Sequence, residues 1–177
     1  MPEQDIDTDI IYPARFLLLT DKAGLGRYAF ADRRDRPDFP LPLDGSCPIL
    51  LAGANFGCGS SREHAVWALH DLGLRTIIAP SFGEIFYANC TRNGILPVCL
   101  PQDSIDRLAA RSGATLTVDL EACEIRAEDI GTIGFEIAAG HREALLKGWD
   151  ETDRIAALFG EKIDAYEKRR TSEGLWF

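Results

Sequence analysis

The chain has 177 residues, 46% of them hydrophobic and 27% charged, with a formal net charge of −9. Length and composition fit one globular domain with a full apolar core and no need of staples. The acidic balance argues against nucleic acid or an anionic membrane as partner; no apolar run approaches the ~20 residues that span a bilayer, and the acidic N-terminus lacks the apolar stretch of a secretory signal.

Residues 5–13, DIDTDIIYP, place three aspartates before an apolar pair and a proline. Asp and Thr at this spacing predict a turn closed by side chain-to-backbone bonds. A solvated acidic turn or weak cation site is the plainer reading; an EF-hand would need a glycine and a distant glutamate. Residues 14–44 begin with an apolar patch at residues 16–19 and continue as TDKAGLGRYAFADRRDRPDFPLPLDG. This reads as a long irregular loop. Arg27, Arg33, Arg34 and Arg36 read as surface charges.

Residues 48–52, PILLA, predict a buried strand. The next stretch is GANFGCGSSREHAVWALHDL. Ala65, Ala68, Leu69 and Leu72 recur at i, i+3, i+4 and i+7, the stripe of a helix. Ser60 with Glu63 fits a capping box and predicts a helix start at the serines. Two hydroxyls, backbone amides, a positive helix end and Arg62 then converge, which suits an anion and above all a carboxylate. A structural glycine turn is the bland alternative. Arg62 argues against it, because a helix start of purely structural purpose favours acidic residues. Three familiar loops fail on spacing. Arg62 stands where a dinucleotide fingerprint needs its third glycine. No lysine makes a P-loop, and no glycine follows Ser60 as in a nucleophile elbow.

Residues 75–79 predict a second buried strand. Phe82, Ile85, Phe86 and Asn89 share one face of a second helix, which Gly94 ends; residues 95–100 give a third strand. Strands alternating with helices imply an α/β fold with right-handed crossovers and a mostly parallel sheet. Residues 103–112 read as a helix ending at Gly113. Leu116, Val118 and Leu120 alternate with polar residues as a half-buried strand. Residues 123–127 and 130–137 can return as two more, forming a smaller antiparallel element. Residues 141–147 and 154–168 read as C-terminal helices. No repeat or linker divides the chain, so residues 1–177 are expected to form a single domain.

The five cysteines, Cys47, Cys58, Cys90, Cys99 and Cys123, are odd in number and include no Cys-x-x-Cys pair. Disulfides, a zinc site and an iron–sulfur cluster held by this chain alone are therefore not expected, and a reduced, cytoplasmic protein is. Cys58 sits in the glycine loop, where a steric role is favoured over a reactive thiol. His64 is read as structural, and His70 and His141 as ordinary.

NFGCGSSREHA (residues 55–65) resembles the signature of the small, mobile domain of the aconitase superfamily. Within it, the closest resemblance is to the small-subunit family of 3-isopropylmalate dehydratase, or isopropylmalate isomerase. DIDTDIIYPARFL (residues 5–17) and IIAPSFGEIFYANCTRNGILPV (residues 77–98) resemble further motifs of that family. GWDETDRI and IDAYE match more loosely, so the resemblance covers nearly the whole chain. Family members carry a strand before the N-terminal motif. Only four residues precede Asp5 here, so either a sheet one strand short or a truncated start is expected.

The resemblance implies a single three-layer swivelling β/β/α domain of the aconitase C-terminal type. It implies a hydro-lyase subunit of leucine biosynthesis that acts only with a large subunit. Together they would move a hydroxyl between adjacent carbons, from 2-isopropylmalate to 3-isopropylmalate, by dehydration and rehydration. A [4Fe–4S] cluster on the large subunit would be the Lewis acid for the hydroxyl. Ser60 matches the family's base, acting as an alkoxide. Arg62 matches the arginine that grips a substrate carboxylate, Ser61 would donate a further hydrogen bond, and Asp9, the second catalytic residue, would orient or proton-couple the site from the opposite loop. Residues 16–44 would sense the substrate's side group. A related hydro-lyase small subunit, acting on 2-methylmalate or citraconate, dimethylmalate or homoaconitate, shares these motifs. From another class, the loop could serve a non-catalytic anion-binding module.

Overall fold

The apolar runs become strands where their β-branched and leucine side chains can be covered on both faces. In a computed structural model, which describes residues 1–19, 21–42, 44–111, 115–128 and 130–174, three of them form one parallel sheet. β1 (Ile49–Leu51), β2 (Thr76–Ala79) and β3 (Leu96–Cys99) lie in that order. Ile49 faces Thr76, and Thr76 faces Leu96, which fixes the register. Every residue of β2 is buried, as expected of a central parallel strand.

Two helices connect these strands. α2 (His64–Asp71) follows β1 and buries Ala65, Val66, Ala68 and Leu69; α3 (Glu84–Arg92) follows β2 and buries Phe86, Asn89, Cys90 and Thr91. Alternation along β2 divides the core. Ile77 packs with α2, Phe86 and the N-terminal segment; Ile78 packs with Val98, Ile105, Leu108 and Ile125 on the opposite face. That second face is covered by α4 (Gln102–Ala109) and by the antiparallel sheet β4 (Leu116–Asp119), β5 (Glu124–Ala127) and β6 (Gly131–Gly134). Helices, a parallel sheet and a smaller sheet thus stack as layers. Gly113, the expected end of α4, lies outside the described residues.

The first helix was not anticipated. α1 (Thr8–Ile11) is one turn, capped by the Asp7 carboxylate, which accepts from the Ile10 amide at 2.7 Å. This is the expected Asp-to-backbone bond, closing a helical turn. Residues 14–44 are irregular as expected, with short 3₁₀ turns at Ala14–Phe16 and Gly26–Tyr28. They nevertheless supply core: Leu25, Ala29, Phe30 and Leu41 are buried. The Gly26 amide donates to Asp71 at 2.7 Å, pinning this segment to the end of α2. Two of the arginines there are engaged with the chain. Arg33 pairs with Glu3, and Arg34 donates to the Arg27 carbonyl.

Two expectations need correction. α2 begins at His64, not at the serines, and no side chain caps it. The capping box does not form because the Ser60 amide donates instead to Thr8 Oγ1, at 3.1 Å. The distant segment outcompetes the local pairing. Ile85 is half exposed, at 50%. It lies one residue from buried Phe86, which is ~100° around the helix.

At the C-terminus, α5 (Ala139–Lys147) ends at Gly148 in the left-handed conformation, φ 65°. That is the conformation a helix stop of this type requires. α6 (Glu151–Ser172) follows, with Asp150 and Asp153 forming a reciprocal capping box. It is longer at both ends than residues 154–168, and none of its residues is buried.

Candidate functional site

The site is built where residues 5–9 lie alongside residues 54–62. Asp5 N–H donates to the Ala54 carbonyl (3.0 Å), Gly57 N–H to Ile6 (2.7 Å) and Thr8 N–H to Cys58 (3.0 Å). The other side of the glycine loop is held by residues 81–83. Phe56 N–H donates to the Ser81 carbonyl (3.1 Å), and Gly83 N–H returns to Phe56 (2.9 Å). The loop between β1 and α2 is therefore clamped from both sides.

Glycine is required at two of these positions. Gly57 has φ +74°, and a Cβ there would run into the ring of Phe86. A Cβ on Gly83 would come within 2.6 Å of the Gly57 carbonyl oxygen. Small residues let the backbones approach, and the approach shapes the loop.

The four residues singled out from sequence gather at this junction. Asp9 projects from α1 and forms an ion pair with Arg62 across the two segments. The Arg62 side chain is mostly covered and that of Asp9 about half exposed, at 26% and 54%. Ser60 is half-buried and Ser61 exposed. Among the described residues, neither serine hydroxyl makes a hydrogen bond, and the amides of Gly59, Ser61 and Arg62 donate to no acceptor. The loop thus carries two hydroxyls and three amides without a partner among the described residues, next to a guanidinium paired with Asp9. The positive end of α2 begins only at His64, so it does not abut the Ser60 side chain as the sequence implied.

The structure adds two residues to this set. Thr8, 1% exposed, fixes Ser60 through its hydroxyl. Asn89, 3% exposed, donates to the Ser61 carbonyl at 3.3 Å. The signal for Asn89 was present, since it is a polar residue on the apolar face of α3. Thr8 gave none, because its partner is 52 positions away.

At Cys58, burial first, then the nearby Asp5 and Asp7 carboxylates, push the thiol pKa up, which disfavours a reactive thiolate. His64 stacks on Tyr12 with ring centroids 5.9 Å apart and lies 4.7 Å from Trp67. Its Nε2 is buried without a partner among the described residues. This is a packed ring, in keeping with a structural role. Among the described residues, no group of three or more His, Cys, Asp or Glu is placed to hold a metal ion, and no helix is long and apolar enough to cross a membrane.

Comparison with known proteins agrees with this architecture. Residues 44–103 match the Aconitase C-terminal domain model, and residues 105–139 match the LeuD_N model. The 3-isopropylmalate dehydratase small subunit of Rhodospirillum centenum is 47% identical over 97% of this chain and 90% of its own length. That of Rhodospirillum rubrum is 47% identical over 99% of this chain and 90% of its own. The crystal structure of 3-isopropylmalate dehydratase (leuD) from Methanocaldococcus jannaschii superposes with a TM-score of 0.69, at 32% identity, covering 93% of each chain.

Layers, clamped loop and matches define a domain of the aconitase C-terminal type. At nearly half identity over almost its whole length, the chain belongs to the 3-isopropylmalate dehydratase small-subunit family, a family of hydro-lyase subunits.

Proposed function

We propose that this chain carries the proton-abstracting and carboxylate-binding half of a 3-isopropylmalate dehydratase, in leucine biosynthesis. One observation carries the reading: the Asp9–Arg62 ion pair joins α1 to the clamped loop that carries two unengaged serine hydroxyls. Arg62 holds a substrate carboxylate, for which the planar guanidinium fork is suited. Ser61 donates a further hydrogen bond to substrate. Asp9 orients the guanidinium. Ser60, as an alkoxide, removes the proton from the carbon beside the carboxylate, and hydroxide departs from the neighbouring carbon. On rehydration Ser60 gives that proton to the carbon that lost hydroxide, and hydroxide adds to the carbon that lost the proton, so hydrogen and hydroxyl have exchanged places.

A serine hydroxyl is a weak base. Its anion therefore needs several stabilising groups together, each contributing a few kcal/mol. The amides of Gly59, Ser61 and Arg62 and the Arg62 charge are the candidates on this chain. Leu18, 92% exposed, and Leu19, 37% exposed, offer apolar surface in the segment assigned to side-group recognition. An alkyl group suits such a surface.

The described residues do not fit an iron–sulfur cluster. We assign the cluster and the acid for the departing hydroxide to a large partner subunit, and the step above is confined to this chain's residues. The site is then incomplete alone. The test mixes the purified chain with a cluster-loaded large subunit and follows dehydration of isopropylmalate. Activity is expected only in the mixture. Ser60→Ala is expected to lower turnover by at least ~100-fold while co-elution with the large subunit persists. Near-normal turnover by that variant would remove the base assignment.

A further inference from the structure

Ser60 and Glu63 satisfy the local rule for a capping box, yet α2 starts at His64. Two side chains from other elements oppose the earlier start. Thr8 grips the chain on both sides of Gly59. Its N–H donates to the Cys58 carbonyl at 3.0 Å, and its Oγ1 accepts from the Ser60 N–H at 3.1 Å. Gly59, between them, has φ +96°, which turns the chain off a helical path. Asn89, from α3, donates to the Ser61 carbonyl at 3.3 Å. A helix begun at the serines would turn that carbonyl towards the Ala65 amide, four residues on.

The hold on residue 60 decides what its hydroxyl is used for. In a capping box the serine oxygen accepts from the amide three residues on, and the glutamate carboxylate takes the serine amide. The parts of such a box stand ready here. Glu63 already has helical angles, φ −70° and ψ −23°, and its amide has no acceptor among the described residues. Thr8 occupies the Ser60 amide first, and at 1% exposure water does not compete for that bond. The Ser60 oxygen is thereby spared the duty of a cap, and its lone pairs stay open to a proton.

We propose that Thr8 is a positioning residue for the reaction: by holding the Ser60 amide it keeps the Ser60 hydroxyl out of a helix cap and free to act as base. This rests on the reading of Ser60 as the base given above.

Thr8→Val, which keeps the shape and removes the acceptor, tests this beside Thr8→Ser, which keeps the acceptor. Amide hydrogen exchange of the full chain, followed by NMR, needs no turnover. The Glu63 amide is expected to exchange about tenfold more slowly in Thr8→Val, in keeping with the strength of a serine cap, and at the wild-type rate in Thr8→Ser. In the enzyme reconstituted with a large subunit, Thr8→Val is expected to lower kcat by about tenfold. KM should change little, since Arg62 still meets the substrate carboxylate. Adding Glu63→Ala to Thr8→Val removes one partner of the box and is expected to recover part of the lost kcat. A role confined to folding would make the double variant worse. Unchanged Glu63 exchange in Thr8→Val, wild-type kcat in that variant, or no recovery on adding Glu63→Ala overturns the proposal. Near-normal turnover of Ser60→Ala would overturn the base assignment and this proposal with it, while slowed Glu63 exchange in Thr8→Val would still show the hold of Thr8 on the loop.

Discussion

Arg62 and Asp9 form an ion pair that is more than half shielded on the arginine side and open on the aspartate side. An exposed pair of this kind adds little to stability. In the proposed function its value lies in holding the guanidinium fork in one orientation. Arg62→Lys keeps the charge and loses the fork. The expected outcome in the reconstituted enzyme is a rise in substrate KM of about tenfold or more, as two charge-assisted hydrogen bonds become one. Thermal stability should stay within ~1 kcal/mol of wild type. An unchanged KM would mean that the carboxylate is held elsewhere. Steady-state kinetics beside a thermal melt separates the two. Ser60, Ser61 and Arg62 could be singled out from sequence, because an arginine behind two serines is a poor helix start, whereas Asp9 was pointed to only by the family resemblance of its motif. Thr8 could not, since its hydroxyl matters only through a loop 52 residues on.

At the scale of elements, the strands and the helices between them were legible because their apolar spacing is regular and each is covered by the sheet or its helices. The start of α2 was misread for a physical reason. Ser60 and Glu63 satisfy the local rule for a capping box, but the Ser60 amide finds Thr8, and Glu63 itself ends up at the helix boundary. The segment at residues 14–44 was legible as irregular and illegible as core. Leu25, Ala29, Phe30 and Leu41 are buried without any period to announce it. The loop's shape rests on Gly57, where a methyl group would meet the Phe86 ring at a backbone angle that L residues avoid. Gly57→Ala should cost about 3 kcal/mol and lower Tm by on the order of 10 °C. Gly24 has φ +80° with open space around it, so Gly24→Ala should cost only about 1 kcal/mol. Equal losses in the two variants would show that crowding against Phe86 is not what demands glycine.

For the whole molecule, acid sensitivity has an identifiable contributor. Burial, and then the Arg75 cation, hold the His70 pKa below its ordinary value. The folded state therefore binds this proton less readily than the unfolded chain. The stability His70 contributes is complete above the unfolded value of ~6.5 and is lost as pH falls from there towards the lower folded value. His70→Gln should flatten the decline of Tm between pH 7 and pH 5. A decline of unchanged slope would assign the acid sensitivity to other groups. At this scale the alternation of strand and helix in sequence pointed to the parallel sheet, and the family resemblance to the three layers. The charged sequence of α6 likewise reads as that of a peripheral helix, and none of its residues is buried.

Residues 5–9 dock on a loop some fifty positions later. During synthesis these aspartates leave the ribosome first. At 5–20 residues per second, they wait several seconds before the segment that receives them is even made. Over that interval Ile6, Ile11 and Tyr12, fully covered in the finished molecule, have no place to hide, so the newborn chain is at its stickiest just before its chemistry can take shape.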